Sequence, residues 1–367
     1  MDCCFCISDK AAGFVTIEGV KWAKPLFTRA DVNDAARILL APSPDHADVD
    51  QALSAVNNWR AIHAYPLQAV KMTLSNRAKH VERAALIAQR TKRIPAIVLK
   101  LQENHAAGLD MQLTQMHDIG GCRAILRSVG QVEQLVKVYA EATAKNALRG
   151  GKFHRKYDYI ASPKPSGYRS VHLVYKYFTT TETHSVYNDL KIEIQIRSKL
   201  QHAWATAVET VDFFTGQALK SNIGEASWKR FFALVSNEFA RLEKRPLVPG
   251  VPQTEAECKR ELKSCSTQIG LLEGLTAATG FVEHKEGQLF LLELDLQNKT
   301  VTTTGFPREK ALEAQDKYLE VERANRGNPN KQAVLVSVDS LAALPKAYPN
   351  FYLDISEFIT VLRKVLA

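Results

Sequence analysis

A seven-residue segment near the middle of the chain, KIEIQIR at 191–197, alternates strictly between polar side chains and isoleucine. Successive side chains of a strand face opposite sides, so Glu193, Gln195 and Arg197 are expected on one face and the isoleucines on the other. Neighbours in such a row stand roughly 7 Å apart, at roughly 3.3 Å per residue. The row could hold a metal, orient a hydroxyl and bind an anion, or it could be an ordinary solvated sheet face.

A second carboxylate and several cations precede this segment. Asp118 stands immediately before a predicted strand, in HDIGGCR at 117–123. Two carboxylates on neighbouring strands can hold Mg²⁺, which prefers oxygen ligands and usually bridges substrate phosphates. Lys92 and Lys100 supply positive charge where phosphate charge must be neutralised. Together these residues suggest phosphate-transfer chemistry.

The segment SPKPSGYRSVH at 162–172 adds an aromatic group to this set. Tyr168 follows a Pro-Ser-Gly turn, so its ring can be presented at a loop tip and stack on a base. The chain has no P-loop, which argues against a Walker-type NTPase. His117 and Asp118 form an HD dipeptide, but the further His and Asp ligands that an HD hydrolase needs on helices are missing from the sequence.

Composition places the protein among ordinary globular proteins, and its 367 residues suggest two or three domains. Residues 71–100 and 141–170 carry +7 and +5 of the net charge of +9, so the remainder carries −3. Concentrated positive charge suggests anionic ligands at a site rather than a coat for nucleic acid, and DNA is not an expected partner. The sequence has no apolar run of about 20 residues, so no membrane partner is expected. None of its cysteines requires a disulfide, which predicts a cytoplasmic protein.

Four motifs, in order, closely resemble the synthetase domain of the RelA/SpoT family, the bacterial (p)ppGpp alarmone synthetases. They are R-x-K…K, D-I-G-G-x-R, D-Y-I-x-x-P-K-P-x-G-Y-x-S-x-H and E-x-Q-I-R, and they cover about residues 50–215. The family transfers pyrophosphate from ATP to the 3′-hydroxyl of GDP or GTP. The resemblance implies an α+β fold, with a nucleotidyltransferase-like mixed sheet flanked by helices.

The resemblance also implies a role for each matching residue. Asp118 and Glu193 would be catalytic and would bind the Mg²⁺ cofactor, and Glu193 would also activate the acceptor hydroxyl. On the ATP side, the implied residues are Arg90 and Arg123, which would sandwich adenine, and Lys92 and Lys100, which would contact the phosphates. On the acceptor side, they are Lys164, Tyr168, His172, Gln195 and Arg197, with Tyr168 stacking on the guanine.

The remaining sequence suggests how the chain is divided. We predict an N-terminal extension at 1–47, a synthetase domain at 48–215, a helical connector at 216–279 and a small C-terminal α/β (ββαβα) domain at 280–367. Within these parts, one long helix is expected to run from Pro66 to Arg90. A loop is expected at 150–156, and a heptad seam from Cys258 to Leu272 is expected to lie on one helix.

Three functions are compatible with these features. The leading one is a GTP/GDP diphosphokinase that makes (p)ppGpp from ATP. The main alternative resembles family members that are toxins and pyrophosphorylate the 3′ CCA end of tRNA; the C-terminal domain would then be a fused antitoxin, and the basic stretch GGKFHRK at 150–156 could meet the acceptor stem. A non-catalytic nucleotide sensor is disfavoured by the presence of both Asp118 and Glu193. The sequence leaves open the acceptor, the role of 280–367, a homo-oligomeric state and the role of the N-terminal CCFC.

Overall fold

The structure is a computed structural model that describes most of the chain. Those residues are 22–41, 46–144, 151–218, 225–275, 280–282, 289–295, 297–298, 300–325, 328, 330–338, 343–348 and 355–367. The N-terminal CCFC lies outside them. No helix in these ranges combines the length and apolar character needed to cross a membrane.

The strands of the described chain form one mixed sheet, in the order β3-β4-β5-β2-β1-β9-β7-β8-β6. They are β1 Leu86–Thr91, β2 Gly120–Leu126, β3 Gly151–Asp158, β4 Val171–Tyr177, β5 Lys191–Ser198, β6 Gly280–Val282, β7 Leu289–Asp295, β8 Thr300–Phe306 and β9 Lys331–Val338. Strands β2 and β5 pair in parallel, as do β6 and β8, and the other pairs are antiparallel.

Helices cover both faces of the sheet, which confirms the predicted α+β fold with a mixed sheet flanked by helices. They are α1 Arg29–Leu40, α2 His46–Ile62, α3 Ala64–Val81, α4 Ile94–Ala106, α5 Val129–Ala144, α6 Glu182–Ser185, α7 Lys199–Ala218, α8 Glu225–Glu243, α9 Glu255–Ser264, α10 Ser266–Leu275, α11 Ala311–Ala324, α12 Leu344–Ala347 and α13 Ser356–Leu366. The isoleucine face of β5 is buried in a core shared with α3 and α5. A second core joins α7, α8, α9 and α13.

Local signals place the elements that carry the site. Helix α4 has Pro95 in its first turn, where the missing N–H costs nothing, so a new helix begins directly after Lys92. The backbone N–H of Lys92 donates to Ile119 O at 2.8 Å, which ties the end of β1 to the start of β2. This link holds Lys92 beside Asp118, and Lys100 follows on α4.

Three predicted elements were wrong. The helix predicted from Pro66 to Arg90 ends at Val81, and its last part is strand β1, because the adjacent strands β2 and β9 bury that segment as the centre of a sheet. A loop was predicted at 150–156, but residues 151–156 form most of strand β3, and residue 150 lies outside the described residues. The single heptad helix is two helices, α9 and α10, which separate at Cys265.

The C-terminal strands extend the same sheet instead of forming a sheet of their own. Strand β9 pairs with β1 through Ala88↔Val338 and Arg90↔Val336. The buried Arg60 side chain reinforces this junction with an ion pair to Glu322 at 2.9 Å. The division of the chain at residues 47, 215 and 279 stays a prediction.

Candidate active site

The polar face of β5 is covered, and the alternative of a solvated sheet face is therefore wrong. Glu193 is 7% exposed and Arg197 is 3% exposed, while Gln195 is half-buried. Buried polar groups need partners, because an unpaired one loses its hydrogen bonds to water. The partners of these three side chains come from the loop and strand that carry Tyr168 and His172.

Five side chains form a closed ring of hydrogen bonds: Glu193, Gln195, Arg197, Tyr168 and His172. Gln195 Nε2 donates to Glu193 Oε2 at 2.7 Å, and Arg197 Nη2 donates to Gln195 Oε1 at 2.9 Å. The same Nη2 donates to the Tyr168 hydroxyl at 2.7 Å. The Tyr168 hydroxyl lies 2.7 Å from His172 Nε2, and His172 Nδ1 lies 2.8 Å from Glu193 Oε1.

The donors in this ring assign a tautomer to His172. The Tyr168 hydroxyl accepts from Arg197, so its own proton is available for His172 Nε2. The other ring nitrogen, Nδ1, then carries the proton that is donated to Glu193. Each link thus has one donor and one acceptor when His172 is neutral, and the ring fixes the orientation of the Glu193 carboxylate.

Glu193 remains ionised in this environment. Burial and the charge of Asp118 raise the pKa of Glu193, but the hydrogen bond and positive charge of His172, with the hydrogen bond from Gln195, favour its charged form and outweigh them. The net result is a pKa below the usual range of a glutamate. The structure therefore presents Glu193 as an oriented, charged proton acceptor.

Asp118 is held by charge instead. Lys92 Nζ contacts one carboxylate oxygen at 2.9 Å, and Lys100 Nζ contacts the other at 2.9 Å. Burial raises the pKa of Asp118, but the two ammonium groups hold it well below its usual range. The three predicted residues thus form one cluster.

Both carboxylates line one cavity at the centre of the sheet. Glu193 pairs with Gly121 of the neighbouring parallel strand, and Asp118 lies just before that strand. Arg90 and Arg123 line the same cavity. Its volume is about 60 Å³, far below the ~300–1,000 Å³ typical of small-molecule sites.

Tyr348, from the C-terminal part of the chain, forms part of the cavity wall. This residue lines the cavity together with Arg90 and Arg123 and is 3% exposed. Its hydroxyl donates to Gln89 O on β1 at 2.7 Å. Burial raises the pKa of Tyr348, against the opposing effect of the Arg123 and Arg90 charges. An aromatic ring of the chain itself therefore lies beside the two arginines predicted to bind adenine.

Sequence reasoning did not foresee this position of Tyr348, and Glu209 on α7 is a second residue whose surroundings only the structure shows. Burial raises the pKa of Glu209, but the arginines at positions 90, 123, 197 and 93 lower it overall. Glu209 is thus the negative charge that balances this group of arginines. No local pattern marks either residue, because each acquires its role from segments distant in sequence.

Lys164 lies further out on the acceptor side. Its Nζ is 4.5 Å from the centroid of the Tyr159 ring and 5.6 Å from that of Tyr168, within the range of cation–π contacts. The predicted site residues therefore form an ionic cluster, a hydrogen-bonded ring, a pair of arginines at the cavity between them, and this outlying lysine.

The residues present fit a magnesium ion that is shared with a phosphate substrate. Asp118 and Glu193 offer the hard oxygen ligands that Mg²⁺ prefers. The described part of the chain has no group of three or more His, Cys, Asp or Glu that could hold a metal by itself. Mg²⁺ is usually held by one or two carboxylates plus substrate phosphates, which agrees with a two-carboxylate site.

Comparisons with known proteins agree with the motifs. Residues 89–212 match the model of the region found in RelA / SpoT proteins. The chain is 32% identical over 118 residues to GTP pyrophosphokinase YwaC of Bacillus subtilis (strain 168), covering 32% of this chain and 52% of that protein. It is 33% identical over 102 residues to GTP pyrophosphokinase YjbM of the same organism, covering 28% and 44%. The chain thus spans about half the length of the curated relatives that it matches.

Solved structures also match. Small alarmone synthetase 1 from Bacillus subtilis, bound to its product pppGpp, has 24% identity and a TM-score of 0.37, over 48% of this chain and 87% of that one. Small alarmone synthetase 2 from the same organism has 19% identity and a TM-score of 0.36, over 59% and 97%. TM-scores this low support nothing beyond the match itself.

Proposed function

The chain carries a RelA/SpoT region at residues 89–212, and from this premise we propose that it transfers pyrophosphate from ATP to the 3′-hydroxyl of GDP or GTP. One observation carries the proposal: two carboxylates with opposite surroundings line one cavity. Asp118 pairs with two lysines, which can bind phosphates while its carboxylate binds a metal, and Glu193 is oriented by hydrogen bonds from His172 and Gln195, as a base would be.

In the proposed reaction, Glu193 takes the proton of the acceptor 3′-hydroxyl. The freed oxygen forms a bond to the β-phosphorus of ATP, the bond from that phosphorus to the α–β bridging oxygen breaks, and AMP leaves. Asp118 and Glu193 would hold Mg²⁺, which when bound neutralises charge on the phosphates. Lys92 and Lys100 are placed to move from Asp118 to the ATP phosphates.

The test is transfer of label from ATP to GDP, GTP or tRNA by the purified protein. We expect a labelled guanosine nucleotide with wild type and almost none with Glu193→Gln. Absence of transfer to every acceptor, in protein that is folded and binds ATP, would contradict the proposal.

A second candidate is pyrophosphorylation of the tRNA 3′ CCA end, and a row of lysines favours it. Lys152, Lys176 and Lys191 are directly opposite one another across strands β3, β4 and β5, on the same face as Glu193. The row spans roughly 10 Å, at about 4.8 Å per strand. Like charges directly opposite destabilise a sheet, so this arrangement suggests a bound polyanion.

Neighbouring groups strengthen this surface. Burial, and after it the charges of Lys191 and His154, lower the pKa of His117 to about 4, so the lysine row lies close enough to act on this residue. The Tyr157 and Tyr159 rings stack at 5.9 Å and 9°, and such aromatic surfaces bind unpaired bases. A single-stranded RNA end could follow the lysines and stack near the acceptor ring.

Salt dependence separates the two acceptors. For a tRNA acceptor, log(kcat/KM) should fall linearly with log salt, and Lys176→Gln should reduce the slope by about 0.7, the value for one single-strand phosphate contact. Lys137 is exposed on α5, which packs against the opposite, isoleucine face of β5, so Lys137→Gln is the control. If Lys176→Gln leaves the slope unchanged, the lysine row does not bind an RNA acceptor.

Tyr348 favours the other part of the second candidate, a C-terminal segment that acts as a fused inhibitor. Tyr348 lines the donor cavity together with Arg90 and Arg123, which are proposed to bind ATP. Deleting 280–367 would be a poor test, because it removes the partner strand of β1 and leaves the buried Arg60 without Glu322. A point substitution at Tyr348 keeps both contacts.

A further inference from the structure

Helix α8 lies outside the RelA/SpoT match at 89–212, yet it contacts the loop that carries Tyr168. Gly167 has φ +89°, and a Cβ built there would be 2.8 Å from Ser236 Cβ and 3.1 Å from Trp204. Ser236 Oγ donates to Gly167 O at 2.5 Å. The residue before Tyr168 is therefore packed directly against α8, at a position where only a glycine fits.

The residue after Tyr168 is tied to the end of the same helix. Arg169 Nη1 pairs with Glu243 Oε2 at 3.0 Å, and the two side chains are 2% and 8% exposed. Arg169 Nε also donates to Ser236 Oγ at 3.3 Å. Tyr168 is thus flanked on both sides by residues that α8 holds.

Glu243 connects this loop to the strand that carries the base. Gln201 Nε2 at the start of α7 donates to Glu243 Oε2 at 2.9 Å, and Ser198 Oγ donates to Glu243 Oε1. Ser198 directly follows Arg197, which is a member of the hydrogen-bonded ring. One buried carboxylate therefore fixes the relative position of the Tyr168 loop and the end of β5.

We propose that Glu243 is a positioning residue for the acceptor: through Arg169 and Ser198 it sets the geometry of the ring around Glu193. The inference rests on the proposed function, because positioning is defined by the reaction at Glu193. Removing one partner of a buried ion pair leaves an uncompensated charge, so the loop must move when Glu243 is changed. The ring would then open or shift, and the acceptor side would lose its geometry.

A purely structural role for α8 is the competing explanation, and a second ion pair on the same helix, 40% and 34% exposed, provides a control. Arg230, also on α8, forms a bidentate ion pair with Glu261 of α9, at 2.5 and 2.8 Å. This pair anchors the same helix but has no contact with the Tyr168 loop among the hydrogen bonds described for the two residues. Glu261→Gln therefore tests anchoring of α8 without the acceptor loop.

The experiment compares steady-state kinetics of Glu243→Gln, the milder Ser236→Ala and Glu261→Gln, in the full chain. We expect Glu243→Gln to lower kcat/KM for the acceptor by roughly 100-fold, the cost of a misplacement of about 1 Å, with an unchanged KM for ATP. Ser236→Ala should also lower kcat/KM for the acceptor, by a smaller factor, without changing the KM for ATP. Glu261→Gln should change neither quantity. The double variant Glu243→Gln/Tyr168→Phe should lose less kcat/KM than the two single losses combined predict, because both substitutions act on the same hydrogen-bonded ring.

Two results would overturn the inference. The first is that Glu243→Gln and Ser236→Ala both show the same acceptor kinetics as Glu261→Gln. The second is that the effects of Glu243→Gln and Tyr168→Phe are additive. Should Glu243→Gln fail to fold, Ser236→Ala decides the question by the same criteria. If the wild-type protein transfers label to no acceptor, the proposed function fails. The role of Glu243 in setting the geometry of the ring is then tested by the NMR signals of the His172 imidazole. Glu243→Gln or Ser236→Ala should shift those signals and Glu261→Gln should not; unshifted signals would overturn the positioning role.

Discussion

The two halves of the candidate site hold their carboxylates by different physics. On the donor half, Asp118 is fixed by two ammonium groups, and its cavity admits Tyr348 from the C-terminal part of the chain. On the acceptor half, Glu193 is fixed by hydrogen bonds from His172 and Gln195, within a ring whose Tyr168 loop packs against α8. Ion pairs with Lys92 and Lys100 can be exchanged for substrate phosphates, whereas the ring joins Glu193 to four other side chains through hydrogen bonds. The contrast suggests a donor half that changes partners during the reaction and an acceptor half that is preorganised.

The largest effect should come from removing the base of the preorganised half. Glu193→Gln keeps the shape of the side chain but cannot take a proton, so kcat should fall by roughly 10²–10⁴-fold. The KM for ATP should change little if the halves are independent. Initial rates with labelled ATP measure both, and a large rise in the KM for ATP would show that the two halves are coupled.

Gly167→Ala should disturb the acceptor half through packing. A Cβ at Gly167 would contact Ser236 at 2.8 Å, so we expect a loss of roughly 1–3 kcal/mol in unfolding free energy from a strained backbone position, with a raised acceptor KM. Gly108 also has positive φ, at +73°, but has open space around its Cβ position. Gly108→Ala is therefore the control for backbone strain alone, measured by urea unfolding and kinetics. Equal acceptor KM values in the two variants would argue against the contact with α8.

Tyr348→Ala should improve ATP binding on the donor half, whereas Gly167→Ala should weaken acceptor binding. If the open cavity is populated at about one part in ten, removing the ring lowers the apparent KM for ATP roughly tenfold. The acceptor KM should stay the same, because Tyr348 has no described hydrogen bond to the ring around Glu193. Tyr318→Phe serves as the control, because Tyr318 on α11 is also buried but its hydroxyl contacts Arg60 and Glu322 and it does not line the cavity. An unchanged KM for ATP would show that Tyr348 does not compete with the donor.

The smallest effect should be the pH dependence of stability that Asp118 contributes. Its pKa in the folded protein lies well below its usual value, so its contribution is fully present above the unfolded pKa of about 3.9 and is lost as pH falls below it. For partly exposed ion pairs we expect about 1 kcal/mol. Urea unfolding of wild type and Asp118→Asn should differ at pH 6 and converge toward pH 3. A constant difference would mean that the pairs with Lys92 and Lys100 do not stabilise the fold.

Local patterns were enough to identify much of the site. Strict alternation placed Glu193, Gln195 and Arg197 on one face, and the structure has them there with hydrogen bonds along the row. The same reasoning failed for 86–91, whose residues LIAQRT resemble the end of the preceding helix. Only pairing with β2 on one side and β9 on the other makes that segment a strand, because sheet hydrogen bonds come from distant parts of the chain.

By itself, the sequence determined which side chains are available and which of them share a face, because the periods of strands and helices are properties of the local backbone. The motifs also determined the family resemblance and the predicted roles. The tertiary structure alone decided three features: the burial of the polar face of β5, the residue of the C-terminal part that lines the donor cavity, and the support of the Tyr168 loop. The contacts responsible join Tyr348 to Gln89 and Glu243 to Arg169, pairs 259 and 74 residues apart. Such contacts form only when the sheet and helices pack together, so no local pattern contains them.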